Sequence, residues 1–550
     1  MRPVTPLVLA LTSASLAAAQ SPAPANANDP IAQAWPELLP AAFAPPQPAP
    51  PTPLSLDWPD AYIEGLNVLD LGPLSSEAIA AADARAAERY RGVNPGPARI
   101  GVVRPLADHA VVLPGGGALV RDAATGEFAW TFAIASPGAL ELRVHFTEFD
   151  VGRCRLVMYA YENGAPVVHG PYTGLGRERD GAFWSTTLPG DRVYFEITGP
   201  DQPALRIDEL VHVDRDFDLP QMETGDCSGV CPCHLDVMCQ GDPPANFYAR
   251  QATGRMGYVS DGESYVCTGT MISDLDLDTY VPYFLTAAHC LSTQAEVNSL
   301  EVTWFYQSNN SPGNCSGSPS VPARSSLPKT NGGTLLHETG PPALTNDSCL
   351  IRLNPDQIPA GVGFAGWTPD QEAGVIGIHH PAGSWKRAAF GHFESLSIDC
   401  GADCGCFDSA YYAFYDLDRG IIQGGSSGSG MFNGAGQLIG QLFGHCTLCP
   451  DAEDCDHAGD WCLMYGEWEN TWPDVQYWME LGGTIWVDHA NTSSPWDGSW
   501  THPYRRVVDG YNAAWNDTRL VVRAGSYSEA LTMNKRIRVI SSGGTAFIGR

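Results

Sequence analysis

Fifteen of the sixteen cysteines fall between Cys227 and Cys462, and this clustering restricts the fold more than any other feature. Cysteines in such numbers belong to exported proteins, where they oxidise to disulfides. The middle of the chain therefore reads as one stapled unit. The N-terminus agrees. Met1-Arg2, an apolar run from Val4 to Ala10 and then Ala17-Ala18-Ala19 follow the order of a secretory signal peptide cut after Ala19. No later stretch approaches the roughly 18 uncharged apolar residues of a membrane span. The expected product is secreted: extracellular, periplasmic or attached to a surface. Cys154 alone lies outside the cluster and is expected as a buried thiol.

At 550 residues the chain is too long for one core. Residues 20–57 are crowded with Pro and Ala, an extended linker. Residues 58–225 carry short apolar runs between Gly, Pro and Asp. Phe128–Ala133, Leu140–Phe146, Arg155–Tyr161 and Val193–Ile197 predict an antiparallel β-sandwich. Residues 226–483 hold the cysteines and read as all-β, without long helical periodicity. Residues 484–550 carry short strands closed by Gly, the pattern of a β-helix-like module. Acidic residues number 62 against 31 basic, a net charge of −31. That excludes nucleic acid and anionic membrane as partners and favours a soluble monomer.

The chemistry centres on Gly424-Gly-Ser-Ser427-Gly-Ser-Gly430. A serine between glycines can sit on a sharp turn, its hydroxyl exposed beside converging backbone N–H groups. Upstream, Val281-Pro-Tyr-Phe-Leu-Thr-Ala-Ala-His289 reads as an apolar strand ending on a histidine, the base such a serine needs. Asp347 opens the strand-like run Asp347–Leu353 and is the best-placed acid. Asp356, Asp370, Asp416 and Asp418 lie in more polar, loop-like surroundings. In the order His, Asp, Ser the roles are base, orienting carboxylate and nucleophile, with the N–H groups of Gly425 and Ser427 as the oxyanion hole. The reaction expected from these residues is nucleophilic hydrolysis of a carbonyl through an acyl-enzyme.

Thr286-Ala-Ala-His-Cys290, Cys267-Thr-Gly-Thr270 and Gly425-Ser-Ser-Gly-Ser429 resemble a trypsin-like serine protease. Cys233-His-Leu-Asp-Val-Met-Cys239, Ile378-His-His-Pro381, Gly440-Gln-Leu442, Tyr465-Gly466 and Trp472 extend the similarity to the bacterial lysyl endopeptidase family, across 226–483. The resemblance implies an all-β, chymotrypsin-like fold of two six-stranded barrels with the site between them, and hydrolysis of peptide bonds with proteins or peptides as substrates. The rival reading is a binding or adhesion protein on a catalytically weak or inactive protease fold. It also implies that residues 58–225 are a propeptide, a partner that holds the enzyme inactive. It implies the disulfides Cys267–Cys290, Cys239–Cys315 and Cys233–Cys449. Phe443, Leu463 and Tyr465 are the candidate walls of the specificity pocket. Lysine-selective members carry an acid two positions before the matched tyrosine, where this chain has Leu463.

The remaining cysteines of the cluster, Cys349 among them, go beyond that pattern, and extra disulfides are expected of them. The spacings in Cys400–Cys406 and Cys446–Cys449 admit zinc, but an oxidising compartment favours disulfides. His379 and His380 are expected to be structural, and Asp274–Asp278 to be a solvated acidic turn rather than a calcium loop. No metal or cofactor is expected. No basic residue lies between Phe217 and Arg250, so Arg215 is the nearest basic processing point.

Overall fold

The computed structural model describes most of residues 33–549; the longer segments outside the description are 12–32, 58–67, 216–232, 397–410 and 446–462. The cleavage site after Ala19, residues 276–278 of the acidic turn, and Cys227, Cys231, Cys400, Cys404, Cys406, Cys446, Cys449, Cys455 and Cys462 therefore lie outside the described residues.

Alternating apolar residues in the N-terminal third form two facing sheets. One runs 165–173, 155–162, 192–199, 128–135 and 68–70, with 118–121 also on 128–135. The other runs 183–184, 141–150, 204–213 and 98–105. Phe132, Phe146, Phe149, Leu156 and Phe195 fill the space between them. The all-β expectation missed one element here. Ser76–Arg89 is an α-helix, begun by Ser75, whose side chain accepts from the Ala78 N–H at 3.2 Å.

The second sheet does not stop at the edge of the sandwich. Ala98–Val102 pairs antiparallel with Glu263–Val266, so the sandwich and the next barrel share one thirteen-stranded sheet. The Pro/Ala stretch is likewise laid down on folded partners. Glu37–Leu38 pairs with Gly363–Phe364, and the N–H groups of Leu54 and Ser55 donate to the Glu196 carboxylate at 2.9 and 2.6 Å.

Two antiparallel barrels follow. The first is built on 253–260, 263–272, 283–287, 301–303, 329–338 and 348–353, the fifth strand broken at Gly332, where φ is 66°. The second closes completely: its six strands return on themselves through pairing of Arg387–Ser395 with Tyr412–Arg419. Helix Trp468–Leu481, absent from the all-β expectation, packs Trp468, Trp472, Val475 and Met479 into the first barrel's core.

Disulfides join Cys239 to Cys315 and Cys267 to Cys290. Cys233 is also disulfide-bonded, to a partner outside the described residues. Cys154 is a buried thiol that donates to the Asp201 carbonyl at 3.0 Å. Cys349 departs from expectation: it is a buried thiol in strand Ser348–Leu353 rather than half of a disulfide. At the C-terminus, Thr484–Val487, Arg519–Tyr527 and Arg538–Ile548 lie parallel over a core of their own.

Candidate active site

Strand pairing creates the first half of the site. Tyr283–Ala287 runs antiparallel to Ser348–Leu353, with Ala287 opposite Ser348. The turn that follows Ala287 must then face the residue that precedes Ser348. That residue is Asp347, whose carbonyl accepts the Ala288 N–H at 2.9 Å. Asp347 sits at φ 55°, a left-handed conformation that costs a non-glycine residue about 1 kcal/mol or more. It is fully buried. Its Oδ1 accepts the His289 backbone N–H at 2.9 Å, and its Oδ2 lies 2.6 Å from His289 Nδ1. A carboxylate at Nδ1 holds the proton on that nitrogen and leaves Nε2 as the basic one. His289 Nε2 is buried and has no hydrogen-bond partner among the described residues. The Cys267–Cys290 bridge anchors the residue after the histidine to the neighbouring strand.

The second half is the glycine turn. Gly425 (φ 93°) and Gly428 (φ 78°) both take conformations closed to most side chains. A Cβ on Gly428 would lie 2.1 Å from Thr286 Oγ1, 2.6 Å from the Thr268 carbonyl oxygen and 2.8 Å from Ala287 N. That contact seats the turn carrying Ser427 directly against the strand that delivers His289. The Thr268 N–H donates to the Ser427 carbonyl at 2.9 Å, and Thr268 Oγ1 donates to the Gly425 carbonyl at 2.9 Å. His379 Nδ1 lies 2.7 Å from Ser426 Oγ, which also accepts the Gln423 N–H at 3.1 Å; the His380 N–H donates to Thr268 Oγ1 at 3.0 Å. Burial, then the charge of Arg387, pushes the His379 imidazole down to about 3. The His379–His380 pair thus braces the serine turn in neutral form.

The Gly425 N–H, one of the two expected oxyanion donors, has a carbonyl in front of it. It donates at 3.2 Å to Gly96 of the N-terminal region.

The three residues expected to line the specificity pocket part company. The Phe443 ring meets His289 edge-on at 5.7 Å, while Leu463 and Tyr465 are buried in the interior of the second barrel with Tyr415, Ile421 and Ile422. Met464, between them in the strand, faces the other way and joins Phe443, Tyr412 and Phe414 in an apolar wall. Met464, Tyr412 and Phe414 were missed from the sequence. The one signal for them is strand alternation, which puts Met464 opposite its two neighbours. Among the other acids considered, Asp370 accepts from Thr368 Oγ1 and Gln33, and Asp418 meets the exposed His392 at 3.1 Å. His392, Glu394 and Asp416 are the one group among the described residues close enough to share an ion. They line no enclosed site.

Strand order and barrel closure, with a His–Asp pair at the end of the strand against which a glycine-rich serine turn is seated, define the two-barrel chymotrypsin-like fold. Residues 227–461 match the family model described as the lysyl endopeptidase C-terminal domain. The chain is 28% identical over 305 residues to a lysyl endopeptidase of Pseudomonas aeruginosa, which covers 52% of this chain and 62% of that protein. It is 25% identical over 332 residues to secreted RxLR effector protein 73 of Plasmopara viticola, covering 56% of this chain and 75% of that protein. Among solved structures, a thermostable serine protease, AL20, from an extremophilic microorganism overlays with a TM-score of 0.28 at 11% identity, covering 42% of this chain and 97% of that one. An inactivated protease paralogue of the scabies mite gives 0.28 at 15% identity, covering 42% and 94%. At such scores the overlays add nothing to the strand order. Among the described residues no helix is long and apolar enough to cross a membrane.

Proposed function

We propose that the protein is a secreted serine endopeptidase in which Ser427, His289 and Asp347 act as nucleophile, base and orienting acid. The observation that carries this is the doubly bonded Asp347 carboxylate on His289, which leaves a basic Nε2 on the strand against which the Ser427 turn is seated. Ser427 Oγ attacks the substrate carbonyl while His289 Nε2 takes its proton. The negative charge that forms on the carbonyl oxygen is met by the N–H groups of Gly425 and Ser427. The tetrahedral adduct collapses as His289 returns the proton to the leaving amine, giving the acyl-enzyme. Water, deprotonated by the same nitrogen, then releases the acid. Each oxyanion donor contributes roughly 10²–10³-fold in rate. The N-terminal sandwich is a propeptide.

Substrate preference follows from Leu463. It stands where lysine-selective relatives carry an acid, and it is sealed into the barrel interior. It offers no charge to an ammonium group, so we expect cleavage after residues other than lysine. A mixed peptide library incubated with the mature protein tests both statements, with Ser427→Ala beside it. Cuts and labelling by a serine-directed fluorophosphonate should both disappear in the variant. Lysine before most cuts would mean that an acid from elsewhere serves the pocket. No cutting and no labelling by the mature protein would overturn the endopeptidase.

A further inference from the structure

The carbonyl that faces Gly425 belongs to a stretch of chain with contacts on both sides of the site. Upstream, Val93 packs on the apolar wall of Tyr412, Phe414, Phe443 and Met464, and the Phe443 ring in turn touches His289. In the middle, the Gly96 carbonyl accepts from the Gly425 N–H at 3.2 Å. It lies so near Gly424 that a Cβ there would come within 3.2 Å of it. Downstream, Ala98 pairs with Val266 and Arg99 with Tyr265, immediately before Cys267 of the bridge that anchors the histidine. Val93 thus touches the second barrel, Gly96 the serine turn, and Ala98 and Arg99 the first barrel, where they begin a strand added to the sheet edge. Extended peptides bind proteins in this way.

On the reading of Ser427 as a nucleophile, the geometry points to Gly96–Arg99, with Val93 on the apolar wall upstream, as a built-in occupant of the catalytic cleft, lying there as a substrate does. The carbonyl held by an oxyanion donor is the one under attack, so the Gly96–Pro97 bond takes the scissile position. Proline in that place resists cleavage. A ring carbon stands where other residues carry the N–H, which crowds the leaving nitrogen, and the ring fixes the backbone. The occupant is also clamped from both ends. The preceding helix reaches the protease through Arg85 to Glu263 at 2.6 Å and Arg89 to Glu296 at 3.0 Å. Tyr90 sets its ring edge-on to Tyr265 at 5.2 Å. The strand that follows is part of the protease sheet. None of these contacts depends on the covalent link after Arg215. Cutting the chain in 216–232 leaves the cleft filled, and the enzyme stays latent until the N-terminal region itself is removed or destroyed.

The test is the rate at which a fluorophosphonate labels Ser427 in four preparations. These are the full chain, the full chain carrying Val93→Asp, the chain cut only within 216–232, and the cut chain stripped of its N-terminal region. The intact and the merely cut proteins should label roughly 10- to 100-fold more slowly than the stripped one. That is the occupancy expected when a tether gives a millimolar effective concentration to a segment of tens-of-micromolar intrinsic affinity. Val93→Asp, which places a carboxylate on the apolar wall, should recover most of that rate. Cut and uncut chains labelling as fast as the stripped protein would overturn the occupancy, and this comparison needs no variant to fold. Absence of labelling in the stripped protein would instead remove the nucleophile on which the inference rests.

Discussion

Asp347→Asn should lower kcat of the mature enzyme about 10⁴-fold while leaving KM and thermal stability nearly unchanged, as loss of the correct histidine tautomer does in a Ser-His-Asp triad. The asparagine keeps the shape of the side chain, and its carbonyl oxygen can still accept the His289 backbone N–H that Asp347 Oδ1 accepts at 2.9 Å. The other contact changes sign. The Oδ2 that lies 2.6 Å from His289 Nδ1 becomes an NH₂ group. An NH₂ donates, so Nδ1 must turn acceptor and the ring proton moves to Nε2. The nitrogen that should take the serine proton then already carries one. Steady-state hydrolysis of a peptide cut in the library experiment reads the effect, and a thermal melt controls for folding. A variant that keeps activity within about tenfold would pass the orienting role to another acid and leave the φ 55° strain at Asp347 without a catalytic reason.

The parts of the site that could be read from the sequence are those whose chemistry and local conformation coincide. An apolar run ending on His289 can only be a strand end. A serine in Gly424–Gly430 must lie on a turn that demands glycine, as the positive φ of Gly425 and Gly428 bears out. What escaped depended on pairings made far along the chain. The five-residue strand Leu463–Glu467 does not say which face looks inward. Its pairing with Tyr412–Tyr415 and Leu442–His445 decides that, and it turns Met464 rather than Leu463 toward Phe443. Cys349 looked like a bridge candidate because it belongs to a chain read as exported, where cysteines beyond the family pattern are expected to oxidise. Its strand is covered on both faces, and burial pushes the thiol well above its usual range.

Helix Trp468–Leu481 shows its period at Trp468, Trp472, Val475 and Met479, but it carries Pro473 in its interior, a residue that ordinarily breaks a helix, so its local signal is mixed. The union of sandwich and barrel was the least visible. It rests on a register between residues more than 160 positions apart, Val102 with Glu263 and Ala98 with Val266, and nothing local encodes such a pairing.

Glu301→Gln should loosen the N-terminal region from the protease by about 3–5 kcal/mol, the cost of breaking a buried ion cluster from one side. Glu301 lies in the first barrel and is 5% exposed. Its carboxylate accepts the Thr187 N–H of the sandwich at 2.8 Å and lies 3.5 Å from Lys329 Nζ. Arg143 of the sandwich is buried in the same cluster, donating to the Ser185 carbonyl at 2.6 Å and also to the Ser299 carbonyl. Burial pulls its guanidinium down to about 10, so it remains charged at neutral pH. For Glu301, burial alone would raise the carboxyl. Lys329, Arg143 and the Thr187 N–H outweigh it and hold the group at about 2.

Removing that one negative charge leaves the buried Arg143 and Lys329 with neutral acceptors only, the Ser185 and Ser299 carbonyls for one and the Thr187 carbonyl for the other. After a cut in 216–232, the dissociation constant of the two pieces should rise by about two to three and a half powers of ten, at 1.4 kcal/mol per tenfold. The stripped protease no longer holds Thr187 or Arg143 against this position, and its own stability should shift by only about 0.5 kcal/mol, as at a surface site. The pH dependence has a definite sign. A carboxyl depressed in the docked state contributes fully above its ordinary value near 4.3 and loses that contribution as the pH falls toward about 2. The Glu301 contribution should therefore be constant between about 5 and 8 and fade only below about 4.5. His169 of the sandwich adds a second dependence: burial, then the charge of Lys329, holds its imidazole down to about 4, so docking should weaken further as the pH falls below about 6.5. Equal retention of wild-type and Glu301→Gln pieces at neutral pH would mean that the hold lies elsewhere along the shared sheet. At neutral pH both contributions are complete, so proteolysis of the N-terminal region, rather than its spontaneous release, is expected to open the cleft.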